Sequence, residues 1–427
     1  MKIPQLLKPL FLAFLVGFNI VEAPTASAQK LVGGDISLLT KYEEKGANFL
    51  DRDGKKITDV LSYMHDQGLN AMRLRLFVDP SKAPKAHKDQ GVCQDLDYVK
   101  ALGRRIKDAG MAFLLDLHYS DTWTDPGKHS TPASWTGTTA EALAQQLYDY
   151  TVDVLTQLKA EGAEPDAVQV GNEITYGMLW PTGHVYPSGG GQDGGTWDAL
   201  ALYLKKGAEA CREVCPQAKV VVHIEMSKKG QNVLPFLRSL ASYNPDYDVI
   251  GLSYYPHYHG DLNTLNTLLS NIEKLYPAKK IQLVETGYYH AYYPNDADYD
   301  YTSVYPATEE GQRKFTADLI TKLNSHTQVD GLYWWWPETC EYGINWQNAV
   351  TPSGWYNAGL WDNSNGRALA ALYELHAFRT DDTGIHSSPF TPHQTSSSQA
   401  FDLLGRRLTD GNNSPIIIRN GKKLVEK

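Results

Sequence analysis

The stretch Ala167–Leu179 reads AVQVGNEITYGML, and the fold prediction starts from it. Two valines flank Gln169, a pattern that is typical of a short buried β-strand. The strand leads through a glycine into Asn172 and Glu173. A parallel strand that is buried on both faces is nearly all apolar, so a carboxyl group at its end is either a paired structural charge or a working acid.

A second carboxyl group lies in the same position on a later strand. Residues 281–289 read IQLVETGYY, and Glu285 ends their apolar run. Because the ends of parallel barrel strands meet at one face, we expect Glu173 and Glu285 to face each other across a cleft. Such a pair is typical of enzymes that cleave glycosidic bonds.

The N-terminus predicts export. Residues 1–28 have the features of a signal peptide: a positive start at Lys2 and Lys8, an apolar run over Leu10–Phe18 and the small-residue sequence Ala-Ser-Ala at 26–28. The apolar run is too short to cross a bilayer comfortably, and no later segment resembles a transmembrane helix. We therefore expect an exported protein that is extracellular, on the cell surface or in the periplasm.

Composition narrows the class of partner. The chain has 42% hydrophobic and 21% charged residues, as a globular enzyme does, and a formal net charge of -9. This charge, without a basic face, argues against a nucleic-acid partner. Ten Trp and 26 Tyr suit stacking on the rings of a neutral polysaccharide, although most should be packing residues. The four cysteines have no metal-binding spacing, so we expect no catalytic cofactor, and we expect a monomer.

Eight strand patterns alternate with helical ones along the chain. Right-handed crossovers close such a series into a (β/α)₈ TIM barrel, which we assign to residues 29–383. From 384 the sequence becomes a Ser/Thr/Pro-rich linker, and Asp-Gly and Asn-Gly turns then join short strand patterns. Residues 384–427 are therefore predicted to be a linker and a short tail, similar to the sorting tails of exported Bacteroidetes proteins.

Further polar residues follow other strands. In AMRLRLFVDP, Arg73 and Arg75 share one face of a strand; Arg75, nearer its end, is favoured for the active site, and Arg73 fits an interior ion pair equally well. His118, Asp121 and Trp123 cluster after the third strand. No second histidine stands at metal-binding spacing, so we expect these three residues to meet sugar hydroxyls and rings.

Five blocks of sequence follow one another along the chain: HYSDTWTDPGK, VQVGNEI with GMLWPTG, GLSYYPHYHG, LVETGYY and YWWWP. Together they resemble the endo-β-1,4-galactanases of glycoside hydrolase family 53. The resemblance covers Leu31–Arg379 and implies a (β/α)₈ fold and hydrolysis of β-1,4-galactan with retained configuration.

The resemblance assigns roles to the matching residues. Glu173 takes the acid/base position and Glu285 the nucleophile position, with their carboxyl groups about 5 to 5.5 Å apart. The pKa of Glu173 must then be raised while Glu285 is charged. Asn172 is expected to bind the sugar 2-hydroxyl.

Further residues are expected to support the nucleophile or to bind sugar. Tyr255 or Tyr254 should hold Glu285, and Arg75 should keep it ionised. Trp335 matches the family's platform tryptophan after the eighth strand.

The resemblance also implies a calcium site after the seventh strand. There Asp296, Asp298 and Asp300, here called the acidic loop, alternate in the spacing used for oxygen ligands. Relatives add an Asp where this sequence has Tyr356, so a solvated acidic loop without calcium is the alternative. The block YWWWP also carries Trp336 where relatives often have Glu.

Two other functions remain open from the residues. One is a different β-1,4-glycanase of the same clan, acting on mannan, xylan or glucan with an unchanged glutamate pair. The other is a surface glycan-binding protein without turnover, against which the intact pair argues.

Overall fold

The computed structural model describes residues 29–379, 400–401, 416–419 and 422–425. Eight parallel strands pair in chain order and the first also pairs with the eighth, which confirms the predicted (β/α)₈ TIM barrel. The barrel strands are β1 Leu31–Asp35, β2 Ala71–Leu76, β3 Ala112–Leu117, β4 Ala167–Val170, β5 Lys219–Glu225, β6 Val249–Tyr254, β7 Lys280–Thr286 and β8 Val329–Trp335.

Helices connect the strands and surround the barrel. They are α1 Leu39–Glu44, α2 Val60–Asp66, α3 Lys85–Lys88, α4 Leu96–Asp108, α5 Ala140–Glu161, α6 Trp197–Val214, α7 Ser227–Gly230, α8 Val233–Ala241, α9 Pro256–His259, α10 Leu262–Leu275, α11 Glu309–Asn324 and α12 Ala370–Glu374. Short 3₁₀ helices cover Pro80–Lys82, Ile174–Tyr176, Trp346–Asn348, Ser353–Trp355 and Leu375–Phe378.

Side-chain caps fix where several helices begin. Sequence patterning predicts a helix over Thr58–Gln67, but the helix starts at Val60 because the Asp59 carboxylate accepts the N–H groups of Leu61 and Ser62. Thr139 caps α5 in the same way, and Gly162 with φ 78° follows the last residue of α5 as its C-terminal cap. A cap of this kind stabilises a helix by about 1 kcal/mol.

The barrel interior changes character along its axis. An apolar cluster fills one end and contains Ala71, Leu114, Ala167, Val221, Val249, Val284 and Tyr333. Two residues further along their strands, Arg73, Asp116, Gln169 and His223 are fully buried. Side chains of a strand point the same way every second residue, so these residues form a polar layer above the apolar one. The polar layer lies towards the C-terminal ends of the strands.

Close backbone approach explains the glycine pair of the first strand. A Cβ atom on Gly33 would lie 1.5 Å from the carbonyl oxygen of Ala71. One on Gly34 would lie 2.5 Å from the ring of Pro337. Strand β1 can therefore pack against its neighbours only without side chains at these two positions.

The chain divides into two compact units, and the second begins at Asp382. In this second unit β9 Ala400–Phe401, β10 Ile416–Arg419 and β11 Lys422–Val425 form a three-stranded antiparallel sheet. The predicted signal peptide and most of the predicted linker lie outside the described residues. Among the residues described, no helix is both long and apolar enough to cross a membrane.

Candidate active site

Arg73 is the centre of the polar layer. Its Nη1 lies 2.9 Å from Asp35 Oδ2, and its Nη2 lies 2.8 Å from Asp116 Oδ2 and 2.9 Å from Glu285 Oε1. Nη2 also donates to Asn172 Oδ1 over 3.0 Å. One buried cation thus joins groups from four other parts of the barrel. Removing one partner of a buried charged network costs about 3–5 kcal/mol, so Arg73 should hold these groups firmly.

Glu285 ends β7 and is 5% exposed. The Tyr255 hydroxyl donates to its Oε2 over 3.0 Å, while the contact of Oε1 with Arg73 is an ion pair without hydrogen-bond geometry. Burial raises the pKa of Glu285 to about 7, and the negative charges of Asp116 and Asp35 add to this effect. The Arg73 guanidinium and the Tyr255 hydroxyl oppose it. These two groups favour the ionised carboxylate.

Glu173 follows β4 in a left-handed backbone conformation, with φ 46°. Tyr119 and Trp336, also next to strand ends, share this conformation with φ 49° and 50°. The N–H of Glu173 donates to Nδ1 of His223 over 3.2 Å, and its carbonyl oxygen lies 3.3 Å from Nε2 of His129. The backbone of Glu173 is therefore held on both sides by histidines of neighbouring segments.

The electrostatic surroundings of Glu173 differ from those of Glu285. Burial raises the pKa of Glu173 well above its ordinary value, and the charges of Glu285 and Glu225 raise it further. Among the described residues, no arginine or lysine forms an ion pair with Glu173, whereas Arg73 contacts Glu285. When the two carboxyl groups share one proton, the proton should reside on Glu173.

His223 connects the backbone of Glu173 to its side chain. Because Nδ1 of His223 accepts the N–H of Glu173, its proton lies on Nε2, which contacts Ser253 Oγ at 2.8 Å. Ser253 in turn acts on the Glu173 carboxyl group, whose pKa it lowers against the effect of burial. Burial and the nearby Arg73 lower the pKa of His223 well below its usual range, so the ring stays neutral in this arrangement.

Asn172 is oriented by protein contacts at both ends. Its Oδ1 accepts from Arg73, and its Nδ2 donates to the carbonyl oxygen of Thr124 over 2.8 Å. An amide nitrogen carries two hydrogens, so one N–H of Asn172 remains for a ligand.

Arg75 has a different place from the one predicted. It pairs with Asp35 Oδ1 at 2.7 Å and makes no contact with Glu285 among its ion pairs; Arg73 holds Glu285 instead. The guanidinium carbon of Arg75 lies 4.7, 4.9 and 5.1 Å from the ring centres of Trp123, Trp335 and Trp336. The expectation that Arg75 keeps Glu285 ionised is wrong, because the Arg75 side chain packs against the rings of these three tryptophans and does not reach Glu285.

The aromatic groups form one continuous cluster. Trp335 and Trp336 stack with ring centres 5.1 Å apart, and Trp123 lies 6.2 Å from Trp335. Trp355 lies 6.3 Å from Trp335 and 5.1 Å from Tyr255, which carries the hydrogen bond to Glu285. This cluster, here called the tryptophan platform, therefore adjoins the carboxyl pair. Flat apolar faces of this kind suit the rings of sugars.

Comparison with known proteins identifies the family. The sequence model of Glycosyl hydrolase family 53 matches residues 31–375. The chain belongs to glycosyl hydrolase family 53. It is therefore a glycoside hydrolase, and a mere glycan-binding protein is the weaker alternative.

Relatives agree with this assignment. The arabinogalactan endo-β-1,4-galactanase A of Aspergillus niger is 31% identical, over 71% of this chain and 84% of the relative. The endo-β-1,4-galactanase of Bacillus subtilis is 28% identical, over 81% and 82%. A family 53 catalytic domain from Ignisphaera aggregans has a TM-score of 0.72 at 28% identity, covering 84% of this chain and 98% of its own.

Three residues predicted to bind substrate are engaged within the protein. Tyr254 is fully buried and donates its hydroxyl to the Gly260 carbonyl, so Tyr255 alone reaches Glu285. Both carboxylate oxygens of Asp121 accept backbone N–H groups, from Asp79 and Ala133. The predicted contact of Tyr254 with Glu285 and the predicted substrate contact of Asp121 are therefore both corrected to structural contacts.

His118 is also turned towards the protein. Its Nδ1 accepts the N–H of Thr124 over 3.2 Å, its Nε2 lies 3.1 Å from Asp116 Oδ2, and the residue is 2% exposed. The carbonyl of Thr124 binds Asn172. His118 therefore orients Asn172 through the Thr124 segment, and the predicted direct contact with sugar is corrected.

The acidic loop does not form the predicted calcium site. Asp296 Oδ2 accepts the hydroxyl of Tyr258, and Asp300 Oδ1 accepts the N–H of Thr302. In the part of the chain that the structure describes, no three His, Cys, Asp or Glu side chains are placed to hold a metal ion. Asp296, Asp298 and Asp300 are all exposed and their carboxylates do not converge, so the described arrangement does not fit calcium.

The sequence prediction missed Glu225, a further carboxyl group at a strand end. It is the last residue of β5 and is 4% exposed. The same signal that singles out Glu173 and Glu285, a carboxyl residue at the end of an apolar strand, is present in KVVVHIEM.

Proposed function

We propose that the protein is an endo-β-1,4-galactanase that cleaves β-1,4-galactosidic bonds in galactan, including the type I arabinogalactan of pectin, with retained configuration. The observation that carries this proposal is the unequal environment of the two glutamates. Glu285 contacts the Arg73 guanidinium and accepts a hydrogen bond from the Tyr255 hydroxyl. Glu173 forms no ion pair with an arginine or lysine among the described residues, and its pKa is raised well above the ordinary value. The names of the Aspergillus niger and Bacillus subtilis relatives support galactan as the substrate.

In the first chemical step Glu285 attacks the anomeric carbon and forms an ester with the sugar. Glu173 donates its proton to the glycosidic oxygen, so the leaving sugar departs as a neutral alcohol. The developing positive charge on the ring lies near the Glu285 carboxylate. Arg73 and Tyr255 keep that carboxylate ionised until it reacts.

In the second step Glu173 acts as a base. Once Glu285 is esterified its charge is gone, and the pKa of Glu173 falls because one source of repulsion has disappeared. Glu173 then removes a proton from water, which attacks the anomeric carbon and releases Glu285 as a carboxylate. The free N–H of Asn172 is placed to bind the 2-hydroxyl of the reacting sugar.

Two variants test the assignment of roles. Glu285→Ala should lose turnover of galactan, and azide should restore product of inverted configuration. Glu173→Ala should keep activity on substrates with good leaving groups, and azide should give product of retained configuration. Equal losses without rescue in both variants would contradict the assignment. Reducing-sugar assays on galactan, mannan, xylan and glucan test the substrate, and activity on mannan alone would refute galactan.

We also propose that the protein is exported. The support is the signal-like sequence of residues 1–28. N-terminal sequencing of the protein recovered from its natural host should begin near Gln29. An intact Met1 in that protein would contradict export by this route.

A further inference from the structure

Glu225 makes two contacts that tie β5 to its neighbours. Its Oε2 and the hydroxyl of Thr175 share a short hydrogen bond, and Asn232 Nδ2 donates to its Oε1 over 3.1 Å. The same Nδ2 donates to the carbonyl oxygen of Glu225 over 2.9 Å. Thr175 is fully buried, so its hydroxyl has little access to water as a substitute partner.

Thr175 belongs to the turn that positions Glu173. This turn, the 3₁₀ helix Ile174–Tyr176, follows Glu173 directly and has no side-chain cap at its start. Gly171 and Gly177 on either side have φ values of 87° and 84°, and Glu173 itself has φ 46°. An uncapped single turn between left-handed residues has few internal hydrogen bonds to hold it. Contacts from outside the turn must therefore fix its orientation, and Glu225 supplies the one to the Thr175 side chain.

We propose that Glu225 is a positioning residue that holds Glu173 in its reactive orientation by fixing Thr175. The inference rests on the acid/base function proposed for Glu173. A general acid must lie within hydrogen-bond reach of the leaving oxygen, and a displacement of about 1 Å can reduce the rate roughly 100-fold. Glu225 touches no substrate in this scheme and acts only through the turn.

The protonation state of Glu225 makes a close mimic available. Burial raises its pKa to about 8, so at acidic and neutral pH the carboxyl group is protonated. The Thr175 hydroxyl donates to Oε2, and Oε1 accepts from Asn232. A hydroxyl can also accept, so glutamine can keep both contacts, with its Nε2 donating to Thr175 and its Oε1 accepting from Asn232. Alanine removes both.

The test compares Glu225→Gln, Glu225→Ala and Thr175→Val on two substrates at pH 6. One is galactan, whose leaving group needs protonation; the other is 2,4-dinitrophenyl β-galactobioside, whose leaving group departs without it. We expect Glu225→Ala and Thr175→Val to lose roughly 10- to 100-fold in kcat/KM on galactan but less than about threefold in kcat/KM on the aryl substrate, because kcat/KM reports the steps up to the glycosyl-enzyme and not the later base step. Glu225→Gln should stay within about threefold of the wild type on both.

Thr151→Val is the matched control. Thr151 is also fully buried and hydrogen-bonded, to Tyr119, but on helix α5. Its variant should keep the wild-type ratio of the two activities. If Thr175 and Glu225 only stabilise the fold, their variants should lose activity on galactan and on the aryl substrate to the same extent.

The outcomes separate this inference from the proposed function. Equal losses on both substrates, or wild-type activity of Glu225→Ala on galactan, would overturn the positioning function of Glu225. If Glu225→Ala does not fold, Thr175→Val decides by the same criterion. A wild-type enzyme that leaves galactan intact would instead refute the proposed substrate, and the leaving-group comparison would then use the glycan that it does cleave.

Discussion

Replacing Tyr255 by phenylalanine should move the acidic limb of the activity profile to higher pH. The Tyr255 hydroxyl donates to Glu285 Oε2 over 3.0 Å, and this bond lowers the pKa of Glu285 because it stabilises the charged form. Without it, Glu285 takes up a proton at a higher pH, and less of the enzyme carries the ionised nucleophile under acidic conditions. Phenylalanine fills nearly the same volume, so the fold should persist.

The size of the shift follows from the hydrogen bond. A hydrogen bond to a charged group contributes about 1.5–3 kcal/mol, and one pKa unit corresponds to about 1.4 kcal/mol. The acidic limb should therefore rise by about 1–2 pH units. Since kcat/KM reports the free enzyme, it should be measured on galactan across the whole acidic and neutral range. The apparent pKa belongs to the coupled pair of glutamates.

Tyr254→Phe is the control for this measurement. Tyr254 neighbours Tyr255 in sequence, but its hydroxyl donates to Gly260 and not to Glu285. Its variant should lose some stability, about 1 kcal/mol for one buried hydrogen bond, and keep the position of the acidic limb. An acidic limb of Tyr255→Phe within about 0.3 pH units of the wild type would refute the reasoning, as would an equal shift in both variants.

Three further predictions concern stability and mode of action. The pKa of the fully buried Glu338 is raised to about 8, so its contribution to stability is present below the unfolded pKa and is lost as the pH rises towards 8. Between pH 5 and pH 8, the free energy of unfolding of Glu338→Gln, measured in urea, should therefore fall by at least about 1.4 kcal/mol less than that of the wild type. An equal fall in both proteins would contradict this. Because the acidic loop is exposed and its carboxylates do not converge, calcium should leave the melting temperature unchanged; a rise with concentration following RT ln(1 + [L]/Kd) would show that the loop rearranges around the ion. If the tryptophan platform binds several sugars, the viscosity of a galactan solution should fall much faster than reducing ends appear, whereas early release of galactose alone would indicate an exo-acting enzyme.

The barrel and the glutamate pair could be predicted because each leaves a local mark in the sequence. Eight apolar strand patterns alternate with helical ones, and Glu173 and Glu285 stand at or just beyond two of the strand ends. The strand pattern of the eighth strand begins only at Leu332, because Asp330 and Gly331 carry no strand signal, whereas the strand itself begins at Val329.

Which arginine contacts the nucleophile could not be predicted. Arg73 and Arg75 lie two residues apart on the same face of β2, so the sequence does not distinguish them. Their partners are decided by the register of β2 against the neighbouring strands. Arg73 is level with Leu114 and two residues below Asp116, and its long side chain extends upward to Asp116 and Glu285. Proximity to the strand end was therefore the wrong criterion, because the long side chain of Arg73 extends towards the strand ends as far as Glu285.

The contacts of the two tyrosines and of Asp121 could not be predicted, because they depend on side-chain direction and on the path of a loop. Tyr254 and Tyr255 are adjacent, and alternation places one of them outward and the other towards Glu285. Asp121 carries a charge in a polar loop, which suggested a ligand. Its partners are backbone N–H groups that become known only when the loop path is known.

The left-handed residues next to the strand ends have a consequence for engineering heat resistance. Glu173, Tyr119 and Trp336 each hold a conformation that costs an ordinary side chain about 1–2 kcal/mol, and all three border the catalytic face. At the rim of the barrel, the fold is thus less stable by these amounts, and the side chains of these residues take directions that an ordinary backbone would not give them. Stabilising substitutions should be sought elsewhere, for example at the exposed Asn244, whose φ of 48° glycine adopts freely.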